Sequence, residues 1–148
     1  RLNIGRLQKG SKQRLILQHT RKDVNGMKLH ASGEDYLEAI LIIERKKGAV
    51  RSIDIAEWLG VTKPSVSRAV SLLKKGGFLS AKDNHLYLTD TGRVVAEKIY
   101  ERHCFFKHRL IDAGVDEETA EKEACRLEHS LSDDSFNKIK KATDGKHN

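Results

Sequence analysis

Apolar residues recur at helical spacing through most of the chain from residue 32 onward, and the pattern switches once to short strand-like runs. Tyr36, Ile40 and Ile43 form one stripe, broadened by Leu37 and Leu41, which predicts a helix to about Lys46. Ser32 followed by Asp35 reads as its N-cap with a carboxylate at N3. Ser52 caps a short second helix through Leu59, and Gly60 gives a tight exit. Thr62 then caps a third helix to Lys75, with Pro64 tolerated in its first turn and Val66, Val70 and Leu73 on the buried side. Two helices joined by a short glycine-containing turn are a helix-turn-helix.

Gly76-Gly77 stops that helix, and short strands at 78–81 and 86–89 flank the polar turn Lys82-Asp83-Asn84-His85. A hairpin directly after the second helix of the pair makes the unit a winged helix-turn-helix. A long helix follows from Thr91 to about Ala113, with the stripe Val95, Ile99, His103, Phe106 and Leu110. Gly114 ends it, and Asp116 caps another helix to about Leu131, with Ala120, Ala124, Leu127 and Leu131 inward. A last stretch carries Phe136 and Ile139. The expected fold is mainly α, a winged helix-turn-helix over 27–92 followed by an all-helical domain over 93–148. Those last helices are too few and short to bury their apolar faces alone, so pairing with a second copy is expected.

Composition narrows this picture. The chain has 148 residues, 38% hydrophobic and 33% charged, enough for one medium domain or two small ones. The longest apolar run, Ala39 to Ile43, is far too short for a membrane span. Two cysteines, Cys104 and Cys125, fit a reducing cytoplasm better than a disulfide framework. The net charge of +7 is concentrated at the start: residues 1–26 contribute +6 and the remainder +1. That segment reads as a basic arm along DNA phosphates or, since Met27 is the only methionine, as a non-native or disordered extension. Any case for DNA binding therefore rests on local features.

The third helix supplies them. Thr62, Lys63, Pro64, Ser65, Ser67 and Arg68 lie in its first half, where small hydroxyl residues allow close approach to phosphates and helix N–H groups favour anions. Arg68 is best able to read guanine by a bidentate contact, and Lys82 and His85 in the wing are placed to reach backbone or minor groove. The bland reading, a protein-contact module with a solvated basic face, accounts for less of this pattern.

Ligand-type residues form a second constellation. Cys125, Glu128 and His129 stand at i, i+3 and i+4, Asp35 and Glu38 at i and i+3, and His103 lies in an apolar stripe. Singly, each has a packing or capping explanation. Together, oxygen, nitrogen and sulfur donors on three helices point to a first-row divalent metal, and spacing alone leaves the two readings level. No HExxH, Gly-rich phosphate loop or general base marks an enzyme.

Residues 27–142 resemble the DtxR/MntR family of metal-dependent transcriptional repressors. The matching runs are Glu34-Asp35-Tyr36-Leu37-Glu38, Asp54-Ile55-Ala56-Glu57, Pro64-Ser65-Val66-Ser67, Leu88-Thr89-Asp90-Thr91-Gly92, Arg102-His103, and Glu123 through His129. The resemblance implies the short form without an SH3-like domain. It makes Asp35, Glu38, His103, Cys125, Glu128 and His129 metal ligands. It implies a cytoplasmic homodimeric repressor that binds palindromic operator DNA when Mn2+ or Fe2+ is bound, with no membrane and no small-molecule substrate. Asp35, Glu38 and His103 follow the manganese branch, whereas Cys125 follows the iron branch. Lys107 and Glu121 depart from the iron branch's ancillary ligands. The two hard carboxylates tilt the expectation towards Mn2+, with Zn2+, Co2+ or Ni2+ able to substitute in vitro. A metal-independent winged-helix regulator is the alternative.

Overall fold

The computed structural model describes residues 31–145, so both readings of residues 1–26 lie outside it. The chain forms two compact units that divide between Lys98 and Ile99, inside the long helix. The sequence placed that division after residue 92, at the end of the wing. No helix among the described residues is long and apolar enough to cross a membrane.

The first unit holds α1 (Ala31–Lys47), α2 (Ser52–Leu59), α3 (Lys63–Lys75), β1 (Leu79–Lys82), β2 (His85–Leu88) and the first turns of α4 (Asp90–Asp112). Ser32 already lies within α1 and is not its cap. From Asp35 to Ile43 every residue of α1 is buried, which is the behaviour of a central helix and not of an amphipathic surface one. Ser52 is likewise the first helical residue of α2, and Arg51 is the N-cap. The Arg51 N–H donates to the Asp54 carboxylate at 2.8 Å, so a side chain inside the first turn satisfies the backbone donor of the N-cap residue itself. Gly60 leaves α2 with φ +66°, a left-handed conformation that favours glycine. Thr62 caps α3 as the sequence predicts, accepting from the Ser65 N–H at 3.3 Å.

The wing is narrower at its tip than the sequence indicated. Leu79 pairs with Leu88 and Lys82 with His85, leaving only Asp83 and Asn84 in the turn, both at positive φ. Lys82 and His85 are therefore the last paired residues, not turn residues. Leu79, Leu86 and Leu88 face inward, and the Leu86 N–H donates to the Val50 carbonyl at 2.8 Å, fastening the wing to the segment after α1. Thr89 ties the wing to α4: its hydroxyl donates to the Gly77 carbonyl at 2.6 Å and accepts from the Gly92 N–H at 3.1 Å. A Cβ on Gly92 would lie 2.0 Å from the Phe78 carbonyl oxygen, so this approach requires glycine. Arg93 clamps both carboxylate oxygens of Glu44 at 2.9 and 3.1 Å.

The second unit contains the rest of α4, α5 (Glu117–Leu127) and α6 (Asp133–Asp144). Asp116 caps α5 as expected, accepting from the Thr119 N–H at 2.9 Å. The helix stops at Leu127 and not near Leu131. Glu128 is its C-cap, and the Ser130 N–H turns back to the Leu127 carbonyl at 3.1 Å. Leu127 consequently lies 36% exposed instead of on the inner face. Along α4, Ile99 and His103 are buried as predicted, while Val95, Phe106 and Leu110 are only half-buried. Phe105, Phe106 and Phe136 pack edge-to-face or tilted with centroids 5.3 to 6.0 Å apart and join α4 to α6.

Candidate metal centre and nucleic-acid interface

In the second unit α4 and α5 present two facing ladders. His103 and Lys107 are four residues apart on α4, and Glu117, Glu121 and Cys125 are four apart on α5. The His103 ring lies between them, its side chain 4% exposed. Its Nε2 is 2.8 Å from Glu121 Oε1, and its Nδ1 is 2.7 Å from Glu128 Oε2. Carboxylates can only accept, so both ring nitrogens donate and His103 stands as an imidazolium. Burial works against that charge, yet Cys125, Glu121 and Glu128 together raise its pKa far above the usual histidine range.

Glu128 is fully buried and bridges two imidazoles, with its Oε1 3.2 Å from His129 Nε2. Cys125 Sγ lies 3.7 Å from the same Nδ1 of His103 that meets Glu128. One thiol, two imidazoles and a carboxylate thus gather around the end of α5. Such a donor set fits a first-row divalent ion once ring protons are displaced. His103, Glu121 and Cys125 also bring ligand atoms within 4.8 Å of one another.

The structure brings together the predicted His103, Cys125, Glu128 and His129. Asp35 and Glu38 belong to the first unit, where both are buried on α1, Glu38 with only 1% exposure. Buried carboxylates are retained where donors or a cation offset their charge. Next to them, burial pushes the Tyr36 hydroxyl up, Arg68 partly offsets this, and Asp35 adds to it. The α5 ladder also contains Glu121, which stood out in the sequence only as a departure from the iron branch's ancillary ligands. It stands four residues before Cys125, a helical spacing that would have placed it on the same face. Burial alone would raise its carboxyl, but His103 and Lys107 hold it at about 2. Lys107, 3% exposed, reaches Glu121 Oε2 at 2.8 Å and Glu117 Oε1 at 3.4 Å.

Behind the ligand-type residues, buried Arg102 holds the chain where α5 ends. It donates to the Leu131 carbonyl at 2.6 Å and the Glu128 carbonyl at 3.4 Å, and pairs with Asp133. Its guanidinium also lies 5.2 Å from the Phe136 ring centre.

The first unit carries the nucleic-acid candidates. Thr62, Lys63, Pro64, Ser67 and Arg68 are exposed on α3, and Ser65 is half-buried. The Thr62 and Ser65 hydroxyls meet at 2.8 Å within the helix cap. Lys82 is exposed and His85 half-buried at the tip of the wing.

Residues 28–86 match the iron-dependent repressor N-terminal DNA-binding domain, and residues 89–145 match the iron-dependent repressor metal-binding and dimerisation domain. The chain belongs to the DtxR/MntR family of metal-dependent transcriptional repressors. The HTH-type transcriptional regulator MntR of Bacillus subtilis is 37% identical over 109 residues, 73% of this chain and 77% of that protein. The iron-dependent repressor IdeR of Mycobacterium tuberculosis is 37% identical over 103 residues, 68% of this chain and 45% of that one. The solved structure of a manganese-dependent transcriptional repressor in complex with manganese superposes with a TM-score of 0.66. That match has 28% identity and covers 72% of this chain and 50% of the other. The chain spans about half the length of the solved family structures it matches. Membership of the DtxR/MntR family accounts for the order of the two units, winged helix first and helical unit second.

Proposed function

We propose that the chain is a metal-responsive repressor that binds a palindromic operator in double-stranded DNA as a homodimer when Mn2+ or Fe2+ is bound, and so controls metal homeostasis in the cytoplasm. The observation that carries this reading is Glu128, fully buried between His103 and His129 with the Cys125 thiol beside the first ring. It lies in the unit matched by the family's metal-binding and dimerisation domain.

In this reading His103, Cys125, Glu128 and His129 are ligands, and Asp35 and Glu38 on α1 complete the set. The bound ion supplies the positive charge that allows these carboxylates to share one centre. Without that charge Asp35, Glu38 and Glu128 repel one another, and each DNA-reading unit samples many orientations. Held in one orientation, two copies of α3 present Arg68 at half-site spacing, with Thr62, Lys63, Pro64, Ser65 and Ser67 near phosphates and Lys82 and His85 on the wing. Operator DNA then tightens metal binding by the same factor by which metal tightens DNA binding.

The paired carboxylates on α1 favour Mn2+ over Fe2+. The Cys125 thiolate lets Zn2+, Co2+ and Ni2+ substitute in vitro. The reading carries no turnover chemistry: the bound partner is DNA, not a small-molecule substrate.

The test is selection of sites from randomised duplex DNA by the purified, metal-stripped protein, in chelator and then with Mn2+ or Fe2+ under anaerobic conditions. Selection of a palindrome only with metal is the expected result, and the strength of the two complexes ranks the ions. One observation favours the metal-independent alternative: protons and Lys107 already balance the charge around His103. Equal selection in chelator would establish that alternative.

A further inference from the structure

We propose that the buried Lys107 ammonium is a built-in cation on the Nε2 side of His103, so that no metal ion binds on that side and the ring meets the ion through Nδ1. This rests on the metalloregulator reading above and specifies which nitrogen of His103 is the ligand.

The two ring nitrogens of His103 face different surroundings. Towards Nδ1 converge the Glu128 carboxylate at 2.7 Å and the Cys125 sulfur at 3.7 Å. Nε2 meets Glu121 Oε1 at 2.8 Å. The second oxygen of Glu121 is already held, 2.8 Å from Lys107 Nζ. Lys107 is itself fixed, with its side chain 3% exposed and Glu117 Oε1 3.4 Å away. The chain Lys107–Glu121–His103 is therefore a closed relay in which each charge meets its opposite.

A divalent ion on this side would need Glu121 as a ligand and would lie beside the buried Lys107 ammonium that holds it. Like charges close together in a buried site repel strongly. The relay leaves Glu121 as a positioning residue. Its carboxylate fixes the plane of the ring and keeps the proton on Nε2, so that Nδ1 is the nitrogen offered to the ion. Lys107 in turn fixes Glu121.

Titration of the full-length, metal-stripped protein with Mn2+, followed by elemental analysis and low-temperature electron paramagnetic resonance, tests this. Lys107→Glu, which removes the ammonium and adds a carboxylate, should bind one more ion per protomer than the unaltered protein and change the Mn2+ spectrum accordingly. If circular dichroism shows that this variant does not fold, Lys107→Gln replaces it and should show an additional, weaker ion. An ion count in the folded variant equal to that of the unaltered protein would overturn the proposal while leaving the metalloregulator reading intact, since Lys107 would not be what keeps an ion off Nε2. No bound ion at all would remove both.

Discussion

Arg102 on α4 donates a 2.6 Å hydrogen bond to the carbonyl of Leu131, beyond the end of α5. Together with its reach to the Glu128 carbonyl and its ion pair with Asp133, this makes one buried guanidinium the clip for the segment carrying Glu128 and His129. Arg102→Met keeps the aliphatic stem and removes every donor. It should destabilise the metal-free protein by about 2 kcal/mol, because charged hydrogen bonds are lost while Asp133 can return to solvent. It should also weaken Mn2+ binding roughly tenfold, as expected when support behind ligands is lost. Thermal denaturation followed by circular dichroism gives the first number and calorimetric titration the second. Unchanged metal affinity in a destabilised variant would confine Arg102 to a structural role.

Cys125 is the softest donor in the cluster, and its sulfur meets the same His103 nitrogen as Glu128. Cys125→Ala should abolish metal-dependent DNA binding and leave a folded dimer. Cys125→Asp should restore a Mn2+ response while weakening Zn2+ and Co2+, because a hard oxygen replaces a thiolate. Competition between the ions for the metal-stripped variants reads the change directly. A Cys125→Ala protein with an unaltered metal response would remove Cys125 from the ligand set.

The parts of the fold that were legible from sequence are those encoded within a few residues. Gly60, Thr62 and Pro64 specify the turn and the start of α3 through backbone conformation and a side-chain cap, and both form as read. Asp116 starts α5 in the same local way. What was not legible depends on contacts between distant segments. The end of α5 at Leu127 coincides with Arg102 drawing the Glu128 and Leu131 carbonyls from 26 and 29 residues away, which no periodicity reports. Lys107 is the sharpest case. The sequence marked it only as a departure from the iron branch's ancillary ligands, and its burial against Glu117 and Glu121 needs the facing ladder. His103 was legible as an inward residue, but not the two carboxylates that give it a charge.

Those carboxylates set the behaviour of the metal-free protein in acid. Glu121 is held at about 2, against a usual value of 4.5, because His103 and Lys107 outweigh its burial. A carboxylate with a lowered folded pKa contributes stability that is fully present above its unfolded value and is lost as pH falls through the folded one. The window is therefore from about 4.5 down to about 2. His103, whose pKa is raised, is charged in both folded and unfolded states across this window and adds no slope there. Glu121→Gln should lower the melting temperature at pH 6, by an amount corresponding to on the order of 3 kcal/mol at most. The gap should close towards pH 2. Parallel melting curves across that range would show that Glu121 is not ionised against His103 and Lys107.

Arg68 is exposed on α3, five residues after Lys63, at an N-terminus whose cap hydroxyls, Thr62 and Ser65, are bonded to each other. With those hydroxyls committed to the cap, sequence discrimination falls mainly to the guanidinium, which can bond two acceptors on one guanine edge. Arg68→Ala should therefore cost about 1–3 kcal/mol against the preferred operator and much less against a sequence with that base pair replaced. Lys63→Ala, in contrast, should weaken all sequences alike and reduce the salt dependence of binding by about one counterion. Fluorescence anisotropy on matched and substituted duplexes over a salt series separates the two. Metal affinity measured without DNA should be unchanged in both variants, since neither residue is a proposed ligand. A drop in metal affinity for Arg68→Ala would instead mean that its charge, which acts on Tyr36 alongside Asp35, reaches the metal centre.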